Sequence, residues 1–161
     1  MSVKRLKTAS GGVNIRPADD AELGEVMGMY DLLFEAPGTR PPDWDRAVAL
    51  SRLRRLHAGP RGVILVAATE DGLVGFCTVA LDIESVRFGQ RAWVENLAVE
   101  TLRRSQGIGQ RLLTAARTWA HQQGATHLEL DSAESRHDAH RFYEREAPSW
   151  RSVCYGWTLS V

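Results

Sequence analysis

Arg104-Ser105-Gln106-Gly107-Ile108-Gly109 is the stretch of this chain whose residue types best suit the binding of an anion. Glycines at 107 and 109 let a ligand approach the backbone closely and allow conformations closed to residues with a Cβ. A helix beginning here would offer unpaired N–H groups and the positive end of its dipole. Arg103, Arg104 and Arg111 add positive charge, so a phosphate or pyrophosphate is the natural guest. The same residues would also serve as a plain joint between loop and helix, and their spacing alone leaves both readings open. Two nucleotide-binding motifs fit poorly. A dinucleotide fingerprint needs a third glycine where Leu112 stands and a place after the first strand, and no G-x-x-x-x-G-K-[ST] occurs.

Val94-Glu95-Asn96-Leu97-Ala98-Val99 places a carboxylate inside an otherwise apolar strand. Such a group loses solvation unless it faces water, a cleft or a partner. Glu95 therefore either decorates a solvent-facing side of the sheet or stands ready to accept a proton in a cleft. Asp138 to Arg145 contains Phe142 and Tyr143, which on their own read as core aromatics of a short helix. The histidines 57, 121, 127, 137 and 140 include a pair on that helix, His137 and His140. No cysteine or carboxylate completes a ligand set for them, so no metal is expected. Cys77 and Cys154 are too few for a disulfide framework and read as small apolar residues on strands. Trp93, Trp119, Trp150 and Trp157 read as packing residues.

These groups need elements to hold them. Residues 1–12 read as a loose tail and 13–161 as one domain. A short strand at 13–16 stops at Pro17. Asp19 to Glu22 resembles a capping box, followed by a helix with Leu23, Val26, Met27, Tyr30, Leu33 and Phe34 on one face, read as core. A second helix covers roughly 44–57, its arginines forming a solvated face. Val63 to Ala68 is a continuous apolar run, as in a strand buried on both sides. Asp71-Gly72 turns into a partner strand at 74–81, and another strand follows at 92–99. The glycine loop then opens a periodic helix carrying Ile108, Leu112, Ala115, Ala116 and Trp119. A strand at 126–131, a short helix with Phe142 and Tyr143, and a terminal strand at 153–159 complete the order β-α-α-β-β-β-α-β-α-β. Strands interleaved with helices indicate one mixed α/β layer structure.

The 161 residues carry twenty Lys plus Arg against twenty Asp plus Glu. That balance gives no global pull toward nucleic acid or membrane, and neither partner is expected. No run of about 18 apolar residues exists, and residues 1–12 lack the apolar stretch of a secretion signal. A cytoplasmic location is the expectation.

The three chemical stretches, in this order and spacing, resemble the Gcn5-related N-acetyltransferase (GNAT) superfamily. Its acetyl-CoA signature, [RQ]-x-x-G-x-[GA], is matched by Arg104 through Gly109, after a "Leu-Ala-Val" strand at Leu97, Ala98 and Val99. Its A-x-x-[FL]-Y-E segment is matched by Ala139, Phe142, Tyr143 and Glu144. The resemblance covers nearly the whole chain and implies a mixed, mostly antiparallel sheet flanked by helices. It also implies acetyl-CoA as co-substrate and an amine as acceptor. Leu97, Ala98 and Val99 would border the pantetheine arm, with backbone groups of Leu97 and Val99 pairing to it. N–H groups of Arg104, Ser105, Gln106, Gly107, Ile108 and Gly109 would cradle the pyrophosphate. The Leu97 amide would face the thioester oxygen, Glu95 would deprotonate the acceptor directly or through water, and Tyr143 would protonate the departing thiolate.

Transfer would be direct, in a ternary complex, with neither cysteine as nucleophile. A small-molecule amine is the expected acceptor; a protein or peptide amine and a non-catalytic acyl-CoA-binding module are the alternatives. A homodimer is implied by the resemblance alone. Two departures stand out. Many relatives have asparagine where this chain has Arg136, and Gly-Phe where it continues Arg145-Glu146.

Overall fold

The computed structural model describes residues 12–159, so the expected N-terminal tail lies, apart from Gly12, outside the described residues. One five-stranded sheet runs in the order β1 (Asn14–Pro17), β2 (Gly62–Thr69), β3 (Gly72–Leu81), β4 (Arg91–Val99), β5 (His127–Glu129). The first four strands pair antiparallel; β4 and β5 pair parallel. A parallel pair needs a crossover connection, and α4 (Ile108–Gln122) supplies it. The sheet is mixed and mostly antiparallel, as the resemblance implies.

Helices cover both faces. α1 (Leu23–Met29), α2 (Asp31–Phe34) and α3 (Arg46–Ala58) lie on one side. Ile64, Val66, Leu73 and Phe76 bury against them, together with Leu23, Val26 and Leu53. Leu65, Ala67, Cys77 and Val79 point the other way, against Leu112, Leu113, Ala116 and Ala120 of α4. Alternate residues of β2 thus enter opposite cores, which is why Val63 to Ala68 has no polar side. α5 (His137–Arg145) sets Phe142 and Tyr143 against the α4 core. Caps mark the helix starts: Glu22 accepts from the Asp19 N–H (2.8 Å), and Asp45 accepts from the Val48 N–H (2.9 Å).

The structure corrects several expectations. Residues 153–159 form no strand, and 151–159 are exposed throughout. Their alternation is strand-like, yet among the described residues no strand pairs with them, and pairing rather than propensity makes a strand. Cys154, Trp150 and Trp157 are exposed with that segment instead of packed, whereas Cys77 is fully buried as expected. β5 is shorter than 126–131 because β4 pairs with it only over Arg91–Trp93. The helix expected over 23–34 breaks at Tyr30, and its last residues, Tyr30, Leu33 and Phe34, are only partly buried.

Candidate functional site

The short β4–β5 pairing builds the cleft. Beyond Trp93 and Glu129 the two parallel strands separate, so β4 from Val94 to Val99 has no strand on its β5 side. Into this opening face the loop after β4, the first turn of α4 and the α5 helix. Together they line a cavity of about 940 Å³. Leu97, Ala98, Val99, Arg104, Ser105, Gly107, Ile108, Gly109 and Tyr143 all line it, as do Arg103 and Arg136. Gln106 does not; its side-chain amide donates to the Leu102 carbonyl at 3.2 Å.

The loop is shaped for an anion. Ser105 (φ 61°) and Gly107 (φ 78°) both lie in the left-handed region. Such turns gather successive N–H groups into a concavity. Gly107 is the N-cap of α4 and gives no side-chain cap, so the first-turn N–H groups keep their hydrogen-bonding capacity. A Cβ built on Gly107 would meet nothing within 4 Å, and one on Gly109 would touch the Phe142 ring at 3.5 Å. Gly107 thus opens space, whereas Gly109 lets α4 approach α5. Arg104 ties the loop to the strand end by donating from Nε to the Val99 carbonyl (3.1 Å).

Glu95 stands apart from the cavity lining. A β-bulge between Thr78 and Val79 pairs Asn96 with Thr78 and Val94 with Val79, so Glu95 is the extra residue of β4. Its side chain is exposed. Its neighbour Asn96 turns inward, donating to Tyr30 Oη (3.2 Å) and to Thr78 Oγ1 (3.1 Å). Thr78 is wholly buried. Burial pushes the Tyr30 hydroxyl up to about 12, with the nearby Glu95 charge acting in the same direction. Tyr30 also lies against Phe76 and Trp44, and Phe34 meets Trp44 edge-on at 4.8 Å. An aromatic cluster therefore lies on the α1–α3 side of β4, tied to it by the Asn96–Tyr30 hydrogen bond.

Burial likewise raises the Tyr143 hydroxyl to about 12, so it holds its proton throughout the neutral range. Cys77 is pushed up to about 12 in its apolar core, which makes it a poor nucleophile. His137 and His140 stand with ring centroids 6.3 Å apart, and among the described residues no three His, Cys, Asp or Glu side chains gather as a metal site. Among the described residues no helix is long and apolar enough to cross a membrane.

Sequence reading missed Tyr30 and Asn96, and gave Arg136 no role. Glu95-Asn96, two polar residues in succession on an apolar strand, is the trace a bulge leaves in sequence. Tyr30 was hidden inside a helical apolar stripe.

Comparison with known proteins agrees with this architecture. The model of the acetyltransferase (GNAT) family matches residues 25–147. An uncharacterized N-acetyltransferase of Bacillus subtilis (strain 168), YhdJ, is 34% identical over 93 residues, 56% of this chain and 66% of that protein. The match thus spans just under two thirds of that relative's length. Among solved structures, the aminoglycoside N-acetyltransferase AAC(6')-Iy in complex with CoA superposes with a TM-score of 0.78 at 14% identity, covering 96% of this chain and 100% of that one. The aminoglycoside acetyltransferase meta-AAC0020, from an uncultured soil metagenomic sample, gives 0.73 at 22% identity over 92% and 96% of the two chains. A protein described as a transcriptional regulator from Bacillus halodurans C-125 gives 0.75 at 23% identity over 93% and 100%. At these identities the structures share the fold.

Proposed function

The chain belongs to the GNAT family of acetyl-CoA-dependent N-acetyltransferases, and from that premise we propose that it acetylates a small-molecule amine by direct transfer. One observation carries the reading. The parting of β4 from β5 opens beside an uncapped, left-handed loop at the start of α4, with Tyr143 in the same cavity. The free edge of β4 suits an extended amide-bearing arm, and the loop N–H groups with Arg103 and Arg104 suit a pyrophosphate. Bound acetyl-CoA would supply a thioester carbonyl activated for attack by an amine.

The chain's own residues would do the rest. Leu97 would present its N–H to the oxyanion. Glu95 would take the proton of the incoming ammonium, directly or through water, since an alkylammonium is no nucleophile. Glu95 is exposed and is not among the residues that line the cavity, which favours the water route. The Tyr143 hydroxyl, held near 12, would donate a hydrogen bond to the leaving sulfur. The burial that raises this phenol also raises the basicity of a thiolate leaving in the same cavity, so Tyr143 would pass its proton to the sulfur as the C–S bond breaks, the general-acid role the resemblance implies.

Support for a small-molecule acceptor comes from Tyr30, whose ring stacks on Trp44 and whose hydroxyl feels the Glu95 charge, a setting that suits an organic cation. The solved structures named as aminoglycoside acetyltransferases share this fold. A peptide or protein amine is favoured by one observation: residues 151–159 add no strand beside β5, so this chain leaves that side of the sheet open. Free thiols at Cys77 and Cys154 suit a reducing, cytoplasmic setting.

The test is calorimetric titration of acetyl-CoA into the wild type and a Gly107→Val, Gly109→Val variant, followed by CoA release across a panel of aminoglycosides, polyamines and peptides. Micromolar binding lost in the variant, with turnover on small amines, is the expected result. A well-folded wild type that binds no acetyl-CoA would overturn the reading.

A further inference from the structure

Arg136 brings into the cavity a positive charge that no carboxylate offsets. It stands half-buried in the wall and has no ion-pair partner among the described residues. The carboxylates that line the same cavity, Glu35, Asp138 and Glu146, face other arginines. Glu35 lies 3.8 Å from Arg104, Glu146 lies 3.9 Å from Arg117, and Asp138 pairs with Arg141. A bond from Arg136 Nη2 to the Leu33 carbonyl, 2.7 Å long, holds the guanidinium in place.

On local grounds the position suits an arginine poorly. Arg136 is the N-cap of α5 and gives the helix no side-chain cap. Asparagine, the residue of the family pattern, is among the best N-caps, and a cation is disfavoured at the positive end of a helix. A residue that breaks the local rule in a cavity wall points to a use in the cavity. Seven residues on, two turns along the same face of α5, stands Tyr143, which lines the cavity too. Burial raises its hydroxyl, Cys77 and Asp131 act in the same direction, and the Arg136 charge opposes them.

We propose that Arg136 is a positioning residue for acetyl transfer, its guanidinium stabilising the negative charge that the Tyr143 oxygen takes on as the phenol gives its proton to the leaving sulfur. The inference rests on the general-acid role of Tyr143. As the acceptor nitrogen bonds to the acetyl carbon, the C–S bond breaks and its electron pair stays on sulfur. The sulfur takes the Tyr143 proton, and the phenol oxygen keeps the O–H pair as a tyrosinate. The proton that the acceptor nitrogen loses on becoming an amide then restores the phenol. An anion formed in so buried a site is costly unless a charge faces it. A neutral asparagine at 136 could not supply that charge.

Steady-state kinetics on Arg136→Gln, Arg136→Lys, Tyr143→Phe and the Arg136→Gln, Tyr143→Phe double variant test it. Arg136→Gln should lower kcat about tenfold with the KM for acetyl-CoA little changed, and Arg136→Lys, which keeps the charge, should recover most of the loss. In the Tyr143→Phe background the same change to Gln should cost almost nothing, because the charge acts through the hydroxyl. A second arm reads the phenol itself. The three tyrosines are replaced by fluorotyrosine and followed by fluorine resonance, with Tyr143→Phe assigning the signal. The Tyr143 phenol should titrate about one pH unit higher in Arg136→Gln than in the wild type.

A phenol that stays put overturns the proposal, as does a Lys variant no better than Gln. An equal loss of kcat in both backgrounds overturns it too, by showing that Arg136 only ties α5 to α2. A wild type that binds acetyl-CoA but turns over no amine overturns the acetyl-transfer reading and takes this inference with it. An active wild type with an unmoved phenol overturns this inference alone.

Discussion

Arg136 donates from Nη2 to the carbonyl of Leu33 at 2.7 Å, joining the start of α5 to the end of α2 across the cavity that both residues line. Gly38 packs beneath this bond. A Cβ there would clash with the Leu33 and Glu35 carbonyl oxygens and press on Arg136 Nη2. On the same loop, Glu35 accepts from Thr101 Oγ1 (3.3 Å) and lies 3.8 Å from Arg104. The segment from Leu33 to Gly38 is thus fastened to α5 on one side and to the glycine loop on the other. Arg136, a departure from the family pattern, is what makes the first of these ties.

Arg136→Gln removes only the tie to the Leu33 carbonyl and should lower stability by about 1 kcal/mol in denaturant unfolding. Gly38→Ala should cost more, about 1–3 kcal/mol, because its methyl meets the Leu33 and Glu35 backbone carbonyls whether or not Arg136 is present. The double variant should therefore lose close to the sum of the two; a loss well short of the sum would mean that Gly38 acts mainly through the Arg136 bond.

Tyr143→Phe should lower kcat about 10²-fold while leaving the KM for acetyl-CoA nearly unchanged, since the hydroxyl acts on the departing sulfur. With its proton held to about 12, the wild type should show no alkaline inflection from this group below about pH 11. A steady-state pH series with a CoA-release assay checks both.

The two glycines of the loop should respond differently. Gly107→Ala meets open space, so its cost is the left-handed backbone, about 1 kcal/mol in stability. Its acetyl-CoA affinity should fall further than its stability, because the new methyl enters the space lined by the loop. Gly109→Val instead pushes on Phe142, and through it on the adjacent Tyr143. That variant should lose kcat even where binding, read by calorimetry, persists.

Acid should reveal the Arg16–Glu22 pair, whose two bonds measure 2.8 and 2.6 Å. The Arg16 guanidinium holds the Glu22 carboxyl at about 2, below its usual value of 4.5. A carboxyl depressed on folding stabilises fully above its unfolded value and loses that contribution as pH falls through the folded one. Arg16→Gln should thus melt at a lower temperature than the wild type at neutral pH, and the gap should close between about pH 4.5 and about 2.

Sequence and structure agree where local pattern and long-range pairing say the same thing. The glycine loop, α4 and the doubly buried β2 were legible because each rests on residues close together in sequence. The strand expected at 153–159 was not, because its alternation is local whereas a strand needs pairing, and none of the described strands pairs with it. The direction of Glu95 was hidden for a related reason: alternation assumes an unbroken strand, and the break lies in how β4 meets β3. Tyr30 was read as core because helical spacing marks a face without saying where that face ends.

The extra residue in β4 behaves like a phase slip in a two-beat rhythm. Ala92 and Val94, at even positions, serve the α4 core, and after the slip Leu97 and Val99, at odd positions, take over that duty. Ala98 and Asn96 turn to the opposite face. The slip is confined to Glu95: without it β4 would run Val94, Asn96, Leu97 in plain alternation, each residue on the face it already occupies. The extra residue therefore costs the two cores nothing, and its effect is local. It holds one side chain outside both cores and exposes a carboxylate just past Trp93, where β4 has parted from β5. Dropping residue 95 would straighten the strand and remove that carboxylate while leaving both packed faces as they are.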